Sequence, residues 1–279
     1  ILDFQEGSGS PAGDSSYVFV NYVCKSLDNR VSSTNDPLLL EKHGSMESYT
    51  YVGPRIWRLG QGAIPSGLES VIRRMKEGGS ATVAIPVGKS SVTNQVYATS
   101  IPNAVEINNV IYKIELQRVI EDIKSYQDSL LKDFSKKHYS GVDSVSDGFY
   151  FVRVGFRQGE DSIADETGLA IRYVGRRLDG VVFDTNIKDS ARRFNLKSVS
   201  GDSLYFTYYK NLNTMLSSNS GYIPGFTMAV NRMKLHDTVE VFFRSDYGYG
   251  AAGSGVSIPE YSPLNFKIFI QESYAKDSE

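Results

Sequence analysis

The chain repeats itself, and that limits what it can fold into more than any other feature. Phe19-Val-Asn-Tyr-Val-Cys-Lys-Ser-Leu-Asp28 lies over Ala170-Ile-Arg-Tyr-Val-Gly-Arg-Arg-Leu-Asp179, and both runs lead at one spacing to a Thr-Asn pair, Thr34-Asn35 and Thr185-Asn186. Ile64-Pro65 precedes Val71-Ile-Arg-Arg-Met-Lys76 as Ile223-Pro224 precedes Val230-Asn-Arg-Met-Lys234. Ile101-Pro102 with Tyr112-Lys-Ile-Glu-Leu116 answers Ile258-Pro259 with Phe266-Lys-Ile-Phe-Ile270. The three blocks keep their order at offsets of 151, 158 and 154 positions, which chance similarity of short apolar runs would not do. A length of 279 residues alone allows one large domain or two ordinary ones, and the repeat selects two.

Each copy reads as strands around one short helix. Tyr17 to Cys24 and Leu169 to Gly175 are rich in β-branched and aromatic residues, and Thr238-Val-Glu-Val-Phe-Phe243 alternates as a half-buried strand does. Ile111 to Val119 and Leu264 to Ile270 give each copy a final strand. Between Gly225 and Lys234, Phe226, Val230 and Met233 fall on one helical face. From Val119 to His138 the residues Val119, Ile123, Tyr126, Leu130, Leu131 and Phe134 form one stripe among charged neighbours, an amphipathic helix of about five turns. The fold class is α+β, with 1–118 and 141–279 as the two copies, 119–140 as a helical linker, and an insert near 197–221.

Composition excludes several function classes. Apolar residues are 41% and charged residues 22%, with no run near the roughly 20 apolar residues a membrane span requires. Thirty basic against 32 acidic residues give a net charge of −2. With only Arg176-Arg177 and Arg192-Arg193 as basic clusters, nothing would gather nucleic acid. Cys24 is the single cysteine, which rules out an internal disulfide and reads as a small buried hydrophobe. The chain opens on Ile-Leu-Asp-Phe, and its abundant Tyr, Ser and Asn suit an exported bacterial protein, periplasmic or lipid-anchored at the envelope.

The C-terminal copy, from about Gly148 to Glu272, resembles the FK506-binding-protein (FKBP) family of peptidyl-prolyl cis-trans isomerases. The resemblance is carried by Tyr173-Val-Gly-Arg-Arg-Leu-Asp-Gly180 with Val182-Phe183-Asp184-Thr185-Asn186, then Ile223-Pro-Gly-Phe226, Met233-Lys234, Asp246-Tyr-Gly-Tyr-Gly-Ala251, and Ile258-Pro259 with Pro263-Leu264-Asn-Phe266. No piece is specific alone, but the ordered set is. It implies two FKBP-like domains, each a curved antiparallel sheet wrapped on a short helix. It implies a proline pocket walled by Tyr173, Phe183, Phe226, Tyr249 and Phe266, with Ile223 and Ile258 completing the apolar wall. It also implies Asp184 as the pocket carboxylate, Tyr249 as the hydroxyl that meets a substrate carbonyl, Phe194 as a further pocket aromatic and Tyr222 at the substrate. Phe226 stands where the family usually has tryptophan. The implied ligands are proline-containing segments of client proteins and macrolides of the FK506 type, with no cofactor or metal.

The chemistry fits those residue types. Turning an X–Pro bond requires losing its partial double-bond character, a barrier of roughly 18–20 kcal/mol. A catalyst need break no bond; it must bind the twisted amide better than the planar one. An ordinary aromatic core is the rival reading of the same rings. Asp184 directly after an apolar run, and Tyr249 within a Gly-Tyr-Gly turn, favour a pocket.

In the N-terminal copy the places of Phe183, Asp184 and Phe226 fall on Ser32, Ser33 and Leu68, and Ile85-Pro-Val-Gly-Lys-Ser-Ser91 replaces the Tyr249 run. That copy reads as a preserved fold without the pocket. Gly88-Lys89-Ser90 lacks the leading glycine of a phosphate loop, since Val83 stands there. His43, His138 and His236 lack ligand-spaced partners, and the stretch from Glu160-Asp161 to Asp165-Glu166 lacks calcium-loop spacing. Two functions follow: an isomerase, or a chaperone or scaffold gripping peptide in the same groove. The aromatic run Leu204-Tyr-Phe-Thr-Tyr-Tyr209 in the insert supports the second.

Overall fold

A computed structural model of the chain describes residues 1–90, 109–155, 162–197, 199 and 202–274. Ile101-Pro102, Ser91 and Glu160-Asp161, named above, lie outside the described residues. The chain divides into two compact units, one of Ile1–Ile123 with Ala252–Glu260, the other of Lys124–Ala251 with Tyr261–Glu279.

The N-terminal unit contains β1 (Asp3–Gln5), β2 (Tyr17–Ser26), β3 (Val31–Thr34), α1 (Pro37–Lys42), β4 (Arg55–Arg58), α2 (Ser66–Ile72), β5 (Ser80–Ile85), α3 (Val87–Ser90) and β6 (Val110–Ile120). Its antiparallel sheet runs β1-β5-β6-β2-β3, with β4 also pairing β2. Along β2, Val18, Val20, Tyr22 and Cys24 are buried, as the period of two requires for a sheet with one face on a core. Leu68, Val71 and Ile72 of α2 complete that core.

The second unit follows the same plan. After α4 (Ile123–Tyr139) come β7 (Phe149–Gly155), β8 (Thr167–Arg177), β9 (Val182–Thr185), α5 (Lys188–Arg193), β10 (Leu204–Tyr208), α6 (Leu212–Ser218), α7 (Pro224–Asn231), β11 (Thr238–Phe243) and β12 (Leu264–Tyr274). The sheet runs β10-β8-β12-β11-β7, with β9 also pairing β8. Tyr22 stands opposite Ile114 and Tyr173 opposite Ile268; Ser33 pairs Cys24 as Asp184 pairs Gly175. The Thr-Asn pairs clamp equivalent strands: Asn35 Oδ1 accepts from Tyr22 N–H at 2.8 Å and Asn186 Oδ1 from Tyr173 N–H at 2.9 Å. Thr34 and Thr185 each donate a hydroxyl to the carbonyl of the same tyrosine. These side chains satisfy buried backbone groups where the ladder is interrupted.

The helix anticipated from Val119 begins at Ile123. Val119 and Ile120 finish β6, where ladder pairing with Val18 and Tyr17 prevails over the helical period. From Lys124 onward α4 belongs to the second unit. Leu131 is buried there with Tyr150 and Phe242, and Phe134 and Tyr139 pack on them. Gln127 bonds both the hydroxyl and the N–H of Ser245, and the Arg244 guanidinium, 4% exposed, reaches Asp128 and Asp147. Among the described residues no helix is long and apolar enough to cross a membrane, and no cluster of three or more His, Cys, Asp or Glu could hold a metal.

Candidate functional site

In the second unit, Tyr173, Asp184, Leu204, Gly221, Tyr222, Ile223, Phe226, Tyr249 and Phe266 line a cavity of about 270 Å³. Six segments deliver them. Tyr173 comes from β8 and Phe266 from its neighbour β12, so a direct ladder fixes their spacing. Phe226 projects from the first turn of α7. Pro224 opens that helix, where a missing N–H costs nothing and the fixed φ is already helical. Ile223 caps it with φ −64° and ψ 143°, and its carbonyl accepts from Phe226 and Thr227. The Ile223 N–H lies ahead of the helix and is not an intrahelical donor.

Phe226, 4% exposed, is the floor. Its ring meets Tyr173 and Phe266 edge-on at centroid distances of 5.5 and 5.7 Å, and Tyr222 and Phe206 flank it at 6.2 and 6.3 Å. Edge-to-face rings at these distances are mutually attractive through their quadrupoles. The Tyr173 hydroxyl donates to Asp184 Oδ2 at 2.8 Å. Burial, and then the Asp184 charge, raise the Tyr173 and Tyr249 phenols above their ordinary value of 10. Both hydroxyls therefore stay protonated and able to donate at neutral pH.

Seven of the ten residues named from sequence meet at this cavity: Tyr173, Asp184, Tyr222, Ile223, Phe226, Tyr249 and Phe266. Phe183 stands behind the lining, edge-on to Phe266 at 5.7 Å. This approach depends on Gly175, where a Cβ would come within 2.8 Å of Phe266 and 2.9 Å of Phe183. Phe194 does not line the cavity. It is the C-cap of α5, with the Arg193 guanidinium over its ring at 5.6 Å, and Leu204 of β10 supplies that wall instead. Along β10 the alternation turns Leu204 and buried Phe206 inward while Tyr205 is 69% exposed. Ile258 is likewise absent from the lining: it is 3% exposed in a segment of the N-terminal unit. The signal that could have found Leu204 is the alternation of Leu204, Phe206 and Tyr208.

The N-terminal unit carries other residues at the same register. Tyr22, Ser33 and Tyr112 stand where Tyr173, Asp184 and Phe266 stand. Ser32, in the place of Phe183, donates to Cys24 Sγ at 3.1 Å. Trp57, in the place of Phe206, lies 5.4 Å from the Tyr22 ring.

An antiparallel sheet over a short helix, with an aromatic cavity floored by the helix's first turn, defines the class of α+β domain that the second unit represents. Residues 159–271 match the family of FKBP-type peptidyl-prolyl cis-trans isomerases. The chain is 28% identical over 143 residues, 51% of its length, to the FKBP-type 22 kDa peptidyl-prolyl cis-trans isomerase of Escherichia coli (strain K12), covering 57% of that protein. It is 26% identical over 150 residues to the macrophage infectivity potentiator of Trypanosoma cruzi, covering 53% of this chain and 65% of that one. It thus spans less than two thirds of either relative. Among solved structures, FkpA from Escherichia coli aligns over 55% of this chain and 60% of its own at 23% identity, with a TM-score of 0.39. The three FKBP domains of wheat FKBP73 align over 98% and 93% at 15% identity, with a TM-score of 0.37.

Proposed function

We propose that the protein is a peptidyl-prolyl cis-trans isomerase that assists folding, with the second unit as its catalytic copy. The observation that carries this reading is the convergence of Tyr173, Phe226, Phe266 and Tyr249 on one cavity that a proline ring and its flanking amide can enter. The planar amide owes its polarity to resonance, and twisting removes it. A wall of Phe226, Phe266, Leu204 and Ile223 thus desolvates the twisted form at lower cost than the planar one. The Tyr249 hydroxyl and the Ile223 N–H hold substrate carbonyls while the ring turns, which supplies orientation rather than bond chemistry. Tyr173, by donating to Asp184, fixes the carboxylate at the rim. No cofactor enters this scheme.

In the same proposal the chain is a tandem of one fold, and the N-terminal copy has lost the pocket. Proline-containing client segments are the substrates, and macrolides of the FK506 type are candidate ligands of the cavity. The nearly cysteine-free composition supports export to a bacterial envelope, periplasmic or lipid-anchored, which cell fractionation would test.

Refolding of a test protein limited by an X–Pro step measures the activity. The full chain is expected to accelerate the slow phase, and Tyr249→Phe with Phe226→Ala to abolish that effect. No acceleration by the intact chain sinks the reading. The second reading, a chaperone with the same groove, is favoured by exposed Tyr205 beside Leu204, with Tyr274 edge-on at 5.9 Å. Suppression of aggregation without acceleration would establish it.

A further inference from the structure

The N-terminal unit holds something in its altered site. Arg55 pairs with Val20 in β4 as Leu204 pairs with Ile171 in β10, so Arg55 occupies the register at which Leu204 walls the cavity of the other unit. An arginine there is 4% exposed. Its Nε donates to Glu260 Oε1 at 3.1 Å, its Nη2 donates to the same oxygen, and Glu260 is fully buried. Burial raises the Tyr22 phenol, with Arg55 opposing and Glu260 adding, so both charges act at the tyrosine equivalent to Tyr173.

Glu260 ends the segment Ala252–Glu260, which belongs to this unit although the chain enters it from Ala251 and leaves it to Tyr261. The segment is fastened again by Tyr51 N–H donating to the Val256 carbonyl at 2.8 Å, and closed on itself by the paired Ser254 and Ile258. At its stem in the second unit, Tyr261 N–H donates to the Gly250 carbonyl at 2.8 Å, one residue from Tyr249.

We propose that the pocket position of the N-terminal unit has become an internal carboxylate socket, in which Arg55 binds Glu260, and that Arg55 is thereby a positioning residue for the Tyr249-bearing loop. The loop's two ends are covalently continuous with the anchored segment, so release of Glu260 frees the backbone that sets Tyr249. A buried ion pair broken from one side leaves an uncompensated charge, and the held segment is what opens. The inference rests on the proposed isomerase reading for its catalytic readout, and not for its structural one.

The test uses the full chain with Arg55→Met, Glu260→Gln and Arg55→Met/Glu260→Met, following amide exchange of 252–260 against 66–72, kcat and KM on an X–Pro peptide, and that peptide's affinity. Arg55→Met is expected to speed exchange in 252–260 about a hundredfold and to lower kcat/KM about tenfold with 66–72 still protected. Glu260→Gln should fall between, and the double apolar variant should restore both. Fast exchange in 252–260 with kcat/KM within twofold of the parent overturns the inference, as does unchanged exchange in Glu260→Gln should Arg55→Met unfold the unit. If the parent shows no turnover, the isomerase reading fails alone when the variants still weaken peptide affinity. If affinity too is indifferent to them, the socket positions nothing.

Discussion

Gly175→Ala is the sharpest test of how the cavity is built. The new methyl would sit 2.8 Å from Phe266 Cε1 and 2.9 Å from the Phe183 ring, so one ring or both must retreat by about half an ångström. Phe266 cannot retreat freely, because Phe243 stacks on it at 6.0 Å and Phe226 meets its edge at 5.7 Å. Overpacking of this kind costs about 1–3 kcal/mol, which in a unit of this size lowers its melting temperature by about 4–12 °C. The catalytic loss should be about tenfold, since the displaced ring is a cavity wall. Calorimetry and the refolding assay measure the two effects. Phe183→Ser should relieve the clash, because in the other unit Ser32 sits beside Cys24 at these two positions without conflict. A double-mutant cycle should then give a favourable coupling of about 1 kcal/mol or more. If Gly175→Ala melts with the parent and keeps its rate, the close approach of the two rings does not shape the cavity.

Other expectations concern the hydroxyls and the charges. Tyr173→Phe deletes a donor to an exposed carboxylate, so stability should fall by no more than about 1 kcal/mol while kcat/KM drops several-fold, separable by denaturant titration and kinetics. The raised Tyr173 and Tyr249 phenols keep their protons in the folded state past pH 10, where the unfolded chain loses them. Activity should thus be flat from pH 6 to 9, and the stability they contribute should be lost as pH rises above 10, which pH-dependent unfolding would show. Arg244→Met releases Asp128 of α4 and Asp147 and should cost the second unit about 1–3 kcal/mol. The Arg244 guanidinium holds the Asp147 carboxyl below its usual range, so that stabilisation is present above the ordinary aspartate pKa and lost as pH falls toward the lower folded value. Asp147→Asn should flatten the acid limb of the unfolding curve.

Local signals were the legible ones. The matched strings place Tyr22 with Tyr173 and Tyr112 with Phe266 in equivalent registers, and the helical face of Phe226, Val230 and Met233 is buried at 4%, 0% and 3% exposure. The loss of Phe183 and Asp184 to Ser32 and Ser33 was readable because a Thr-Asn clamp two residues on fixes the frame. Leu204 was missed because a weakly similar stretch separates it from Asp184, and its side became definite only when β10 paired with β8. The start of α4 was misplaced because Val119 fits an apolar helical stripe as well as a strand. Only the ladder to Val18 decides between them. Ile258 enters the expected wall only through the family resemblance, and no local pattern reveals that Glu260 pairs with a residue 205 positions earlier.

The two units show how separable a fold is from its site. What both share lies in the backbone: strand order, register, and buried Thr and Asn side chains that complete the hydrogen bonding of β2 and β8. What differs faces the cavity, and the differences come in compensating sets. Gly175 with Phe183 becomes Cys24 with Ser32, where a larger strand residue needs a smaller neighbour. Leu204, which needs nothing beside it but an apolar guest, becomes Arg55, which needs a carboxylate. A pocket that had merely decayed would be expected to fill with apolar side chains, since a guanidinium 4% exposed carries a desolvation penalty of several kcal/mol that only a held partner offsets. The presence of that partner on the segment that follows Tyr249 argues against mere decay: where Leu204 walls an open cavity in one unit, Arg55 in the other holds Glu260 of its own chain.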